Sequence, residues 1–300
     1  MKNLFSLLAA LGLLTGVAHA KLNVVATLPD FASLAEDIGG DKVKVISLTK
    51  GTEDPHFVDA KPSFIRVLNQ ADVLLEGGAE LELGWLPPLV QNARNPRILP
   101  NAPGHIVLAH GLKLLEIPTQ LDRSQGDVHA AGNPHFNLGP ANFKPMAEII
   151  AATFARLDPA NAAYYAANLK RFSERLTDKL IEWEKLAAPL RGVKVITYHK
   201  SFEYLAATYG FNIVGQIEPK PGIEPTATHI NALIPNAKAA GVKLVMMEPN
   251  RARKTPQFVA DSIGAKLVIC PILVGGSPEA KNCCDLIDCN LRALVKALQN

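Results

Sequence analysis

The stretch YAANLKRFSERLTDKLIEWEKLA, residues 165–187, decides how the rest of the chain is organised. Tyr165, Leu169, Phe172, Leu176, Leu180, Trp183 and Ala187 recur at steps of three and four, which makes one apolar stripe over roughly six helical turns. Lys170, Arg171, Glu174, Arg175, Asp178, Lys179 and Glu184 fill the polar face. The break at Asp158-Pro159 precedes this helix, and Pro189 and Gly192 end it. No second helix of this kind exists in the sequence to pair with it as a coiled coil. It reads as a single connector lying across two lobes.

Both flanks alternate strand and helix. On the amino-terminal side, residues 22–27, 43–48 and 72–76 are β-branched or apolar runs, with helices predicted over 29–38 and 62–71. On the other side, runs at 193–198, 212–217, 242–247 and 265–269 alternate with helices over 201–209, 226–240, 254–263 and 285–298. Strands separated by helices imply βαβ units and parallel sheets. The predicted fold is α/β, with an N-terminal lobe over 21–158, a rigid linker helix over 159–190 and a C-terminal lobe over 191–300. Ligands of such sheets gather at the carboxyl ends of the strands. His56, His199 and Glu248 all follow predicted strands at that edge. The stiff segment 218–225 (EPKPGIEP) is expected at the cleft rim.

Composition limits the function classes. The apolar fraction of 48% suits a protein with a large core, and a formal charge of +3 without basic runs argues against nucleic acid as a partner. Residues 1–20 read as a secretory leader. Lys2 supplies the basic end, 4–17 the apolar core, and Ala18-His19-Ala20 a small-x-small cleavage site. Cleavage after Ala20 leaves Lys21 at the mature N-terminus with no cysteine there for a lipid anchor, and a periplasmic location follows. Cys270, Cys283, Cys284 and Cys289 are an even set in an exported chain, so disulfides among them are expected; the sequence does not choose the pairing.

Two segments echo each other, Asp54-Pro55-His56-Phe57 and Asn133-Pro134-His135-Phe136, and a third histidine ends a strand in Tyr198-His199-Lys200. Proline restricts its own φ and holds its predecessor extended, so each Pro-His pair offers its ring from a rigid corner. Three imidazoles from separate loops make most of a tetrahedral zinc site. With Gly51-Thr52-Glu53 ahead of the first segment, Asn137-Leu138-Gly139-Pro140 after the second and Ser201-Phe202-Glu203-Tyr204 after the third, the chain resembles the zinc- and manganese-binding solute-binding proteins of ABC transporters, the TroA/ZnuA-like family. The resemblance spans nearly all of the mature chain. It implies two α/β lobes joined by one helix, a metal in the cleft, His56 and His135 as ligands from the first lobe and His199 from the second, and a membrane permease as partner to a monomeric binding protein.

The family's usual fourth ligand is a carboxylate after the last strand of the second lobe. Residues 268–276, VICPILVGG, offer none. Glu248 is the expected substitute, with a water or the Cys270 thiolate as alternatives. His129 reads as a loop residue or a capture ligand, and His105, His110 and His229 as structural. Three imidazoles favour Zn²⁺ over Mn²⁺, which prefers oxygen-rich sites, although another divalent metal stays open. The expected function is capture of zinc for an ABC importer. Two alternatives use the same histidines: a secreted zinc hydrolase, which lacks any His-Glu-x-x-His helix here, and a metal-locked surface adhesin.

Overall fold

The computed structural model of the protein describes residues 20–119 and 129–299. The leader read at 1–20 lies outside the described residues, apart from Ala20. Strands β1 (Leu22–Ala26), β2 (Val43–Ser47), β3 (Val73–Glu76) and β4 (His105–Val107) form a parallel sheet in the order β2-β1-β3-β4. Helices α1 (Pro29–Gly39), α2 (Pro62–Asn69), α3 (Leu86–Ala93) and α4 (Phe143–Leu157) accompany it. Proline stands in the first turn of α1, α2 and α3, where its missing N–H removes no helical bond.

Helix α5 (Ala162–Leu186) then leads to the second sheet. Strands β5 (Lys194–Thr197), β6 (Asn212–Gln216), β7 (Leu244–Met247) and β8 (Lys266–Ile269) are again parallel, in the order β6-β5-β7-β8. Helices α6 (Glu203–Tyr209), α7 (Ala227–Ala240), α8 (Lys254–Ile263) and α9 (Cys283–Gln299) complete it. Each sheet reverses direction beside its first strand, and a crevice opens at the carboxyl ends there. Among the described residues no helix is long and apolar enough to cross a membrane.

The apolar stripe of α5 is buried where the periodicity places it. Tyr165, Phe172, Leu176, Trp183 and Ala187 are buried, and each large side chain contributes about 1.5–3 kcal/mol by leaving water. Polar contacts set the helix's ends. Asn168 donates to the Ile38 carbonyl on α1, Arg175 pairs with Asp37, and the Trp183 indole N–H donates to Asp288 on α9. The two lobes share one apolar core, running from Val24 and Phe31 through Phe136, Phe172 and Trp183 to Leu244 and Leu291. The buried stripe of α5 therefore packs on this common core while its polar face stays exposed.

The expected disulfides are not formed. All four cysteines are free thiols. Cys283 and Cys284 are neighbours on α9 and face different partners. The Cys283 thiol donates to the Asp30 carbonyl, while Cys284 stands beside Arg175. Cys289 donates to Leu286 O, and burial pushes the Cys270 thiol far up, which keeps it protonated.

Candidate metal centre

His56 sits in the loop between β2 and α2. Its backbone N–H donates to Asp54 Oδ1 at 3.0 Å, so the side chain two residues back closes the turn ahead of the ring. Trp85, buried just before α3, donates its indole N–H to the Pro55 carbonyl at 3.0 Å and holds the same loop. Gly51 opens the loop against the second lobe. A Cβ there would stand 2.2 Å from the Val274 carbonyl, so only glycine permits this approach.

The second segment repeats the device. Asn133 Oδ1 accepts the His135 N–H at 2.9 Å, and Asn133 Nδ2 donates to the Lys200 carbonyl at 2.8 Å. Tyr204 donates its hydroxyl to Asn133 O and accepts the Leu115 N–H, so the His135 turn is fixed on the second lobe. Gly132 precedes it at φ +114°, and a Cβ would meet Leu115 O at 2.8 Å. His199 leaves β5 directly, at the crevice between β5 and β7.

These three rings converge. One ligand atom from each of His56, His135 and His199 lies within 4.8 Å of the others, and no other such group of His, Cys, Asp or Glu occurs among the described residues. His56 Nε2 and His135 Nε2 are 3.2 Å apart. Two imidazole nitrogens on a tetrahedral zinc, each at about 2.0–2.1 Å, stand about 3.3 Å apart, so the spacing fits. The ring centroids of the three pairs are separated by 5.2–5.4 Å.

The surroundings set the protonation. Burial first, then the charges of His199, His129 and Arg251, push His56 down to about 2. Burial first, then the neighbouring histidines and Arg251, hold His135 well below the usual range. Both rings are neutral at physiological pH, the form in which imidazole binds metal. Burial also pulls His199 down, but the hydrogen bond it donates to Glu218 and the charges of Glu248 and Glu218 outweigh it, and the net displacement is upward. His199 Nδ1 meets Glu218 Oε2 at 2.6 Å with both side chains buried. A carboxylate on Nδ1 fixes the tautomer and leaves Nε2 to the cleft.

Glu248, the expected fourth ligand, is not part of that converging group. It is buried after β7, and its Oε1 accepts the Ser201 hydroxyl at 2.7 Å. Its Oε2 is buried without a hydrogen-bond donor, and burial raises its pKa against the opposing charge of His199. Cys270 is also outside the group. The stretch after β8 that carries no carboxylate works as a clamp. Asp30 accepts from Val274 N–H and from Asn137 Nδ2, and Asn137 also donates to Ile272 O. His129 stacks on His56 with centroids 5.1 Å apart, while the Ala130 N–H beside it donates to Glu80 at 2.5 Å. His105 pairs with Glu76 and His229 contacts Gln216 O, and neither belongs to the converging group. Glu218 and Arg251 are the residues that sequence reading did not assign. The signal for Glu218 was available: like His199 and Glu248, it follows a strand at the carboxyl edge.

Residues 24–297 match the family described as "ZnuA: Zinc-uptake complex component A periplasmic". The chain belongs to this family. ZnuA-family proteins are substrate-binding components of metal ABC transporters, not enzymes, and work outside the cytoplasmic membrane with a permease and an ATPase. The chain is 28% identical over 283 residues to the high-affinity zinc uptake system protein ZnuA of Bacillus subtilis (strain 168), covering 93% of this chain and 88% of that one. It is 26% identical over 234 residues to the manganese ABC transporter substrate-binding lipoprotein PsaA of Streptococcus pneumoniae serotype 4, covering 76% and 72%. A crystal structure of ZnuA superposes with a TM-score of 0.77 at 27% identity, covering 93% of this chain and 99% of that one. The two-lobed α/β fold read from the sequence is that of this family.

Proposed function

We propose that this ZnuA-family protein captures Zn²⁺ in the cleft between its lobes and delivers it, as a monomer in the periplasm, to the permease of an ABC importer. The leader is removed after Ala20, and residues 21–158 and 191–300 act as the two lobes on either side of the 159–190 helix. The observation that carries the reading is the convergence of His56, His135 and His199. Three imidazole nitrogen donors without an oxygen cage suit zinc, whereas manganese prefers more, and harder, ligands. The Bacillus subtilis relative named for high-affinity zinc uptake supports the same choice. The histidines are the protein ligands, the fourth position is open to water, and Glu248 supplies compensating charge from outside the coordination sphere.

The test is metal binding by the purified protein, with zinc and manganese in direct competition. One zinc per chain is expected, retained against excess manganese, with H56A, H135A and H199A each lowering zinc affinity more than ~100-fold, beyond what an outer-sphere change costs. Preferential retention of manganese would overturn the zinc assignment.

A further inference from the structure

The imidazoles are not the only groups that join the lobes at the cleft. Asp54 uses its two oxygens in two directions. Oδ1 accepts the His56 backbone N–H, and Oδ2 lies 3.1 Å from Arg251 Nη2 in the second lobe. Arg251 Nη1 lies 3.6 Å from Glu218 Oε1, and the other oxygen of Glu218 meets His199 Nδ1 at 2.6 Å. Arg251 is itself held in place. Its backbone N–H donates to the Glu248 carbonyl, and its guanidinium lies 5.4 Å over the Tyr198 ring. A continuous polar chain thus runs from the backbone of His56 in one lobe to the ring of His199 in the other.

This chain is buried at Glu218 and half-buried at Asp54 and Arg251. The side chains of Asp54, Arg251 and Glu218 are 17%, 19% and 5% exposed. Exposed ion pairs are weak because water and salt screen them, but removing one partner of a buried pair strands a charge and is costly. A planar guanidinium also suits the task, since its fork reaches two carboxylates at once, which a point-charge ammonium does less well.

We propose that Arg251 is a positioning residue that latches the His56 loop of the first lobe to the Glu218–His199 pair of the second, and so sets how slowly the bound metal leaves. The proposal rests on the metal-binding reading above. With one large core cluster shared by both lobes, parting His56 from His199 requires local movement of the Asp54 loop. That loop cannot move without breaking the Asp54–Arg251 pair. Charge alone makes the opposite forecast. Arg251 is a cation near the imidazoles, so deleting it would hold a divalent cation more firmly if electrostatics dominated.

The experiment is zinc dissociation measured by transfer to an excess of a chromophoric chelator, for wild type, R251M, R251K and D54N, with folding checked by thermal melting. D54N keeps the oxygen that accepts the His56 N–H and weakens only the pair with Arg251. The latch predicts dissociation at least ~10-fold faster in R251M, an intermediate rate in R251K, and a D54N/R251M double variant no faster than R251M. Unchanged or slower release in a folded R251M, or additive effects in the double variant, would overturn it. If R251M does not fold, R251K and D54N carry the same test. If wild type binds neither zinc nor manganese, the function proposed above fails. The latch is then judged on the metal-free protein by hydrogen exchange at residues 54–57, which must quicken in R251M; unchanged exchange rejects it.

Discussion

Glu218 accepts His199 Nδ1 at 2.6 Å from the end of the neighbouring strand, with both side chains buried. The pair turns an ordinary strand-end histidine into a directed donor. One nitrogen is occupied by a carboxylate, and the other is aimed at the cleft with raised basicity.

E218Q keeps the shape and removes the charge. Zinc affinity should fall roughly 10–100-fold, the usual cost of losing an outer-sphere partner. In the metal-free protein the pKa of His199, followed by NMR, should drop, because its upward displacement depends on Glu218. Unaltered affinity together with an unaltered His199 titration would remove Glu218 from this role.

Glu248 tests the open fourth position. Its Oε1 is engaged by Ser201, and it stands outside the group of converging ligand atoms. E248Q should therefore weaken zinc binding by about 10-fold through lost charge while leaving the spectrum of the cobalt-substituted protein unchanged. A shift in the cobalt ligand-field bands would mean that the carboxylate is a ligand after all.

Glu203 supplies a test of pH-dependent stability in the metal-free protein. Both of its carboxylate oxygens are buried without hydrogen-bond donors. Burial first, then the charge of Glu116, raises its pKa from 4.5 to about 7. A raised acid holds a proton in the folded state that the unfolded chain has released, so its contribution is full below pH 4.5 and is lost as pH rises through about 7. E203Q should match wild type near pH 4.5 and exceed it at pH 8 by roughly 2 kcal/mol, allowing for partial exposure. Denaturant melts of metal-free protein at the two pH values measure this, and an equal difference at both would contradict it.

The shared core sets the scale of motion. Because Phe31, Phe136, Phe172, Trp183 and Leu291 belong to one cluster, a wide hinge would have to expose apolar surface. Solution scattering should give nearly equal radii of gyration with and without zinc. A large compaction on binding would point to an ordinary flexible hinge instead.

The legibility of this structure in its sequence followed local signal strength. α5 was readable because seven apolar residues hold helical spacing, and both sheets because β-branched runs alternate with helices. α3 and β4 were not. Pro87 and Pro88 open α3 and look like a break until they are placed in a first turn, and β4 is a three-residue edge strand, too short to show a period. His56, His135 and His199 were legible through their rigid Pro-His corners and strand-end context. Glu218 opens the stretch expected at the cleft rim; its strand-end position is the one signal that sets it apart, and its pairing with His199 is visible only in the fold. Arg251 lies in a turn without periodicity, and its role exists only through Asp54, which is remote in sequence. The cysteines misled for a related reason: an even count in an exported chain implies pairing, but the fold gives Cys283 and Cys284 separate partners.

The proposed function stands on one zinc held by the imidazoles of His56, His135 and His199. X-ray absorption at the zinc edge of the one-to-one complex tests it most directly. Imidazole scattering from three nitrogen ligands at about 2.0–2.1 Å and one further light atom is expected. A sulfur shell at about 2.3 Å, or scattering from fewer than three imidazoles, would contradict it.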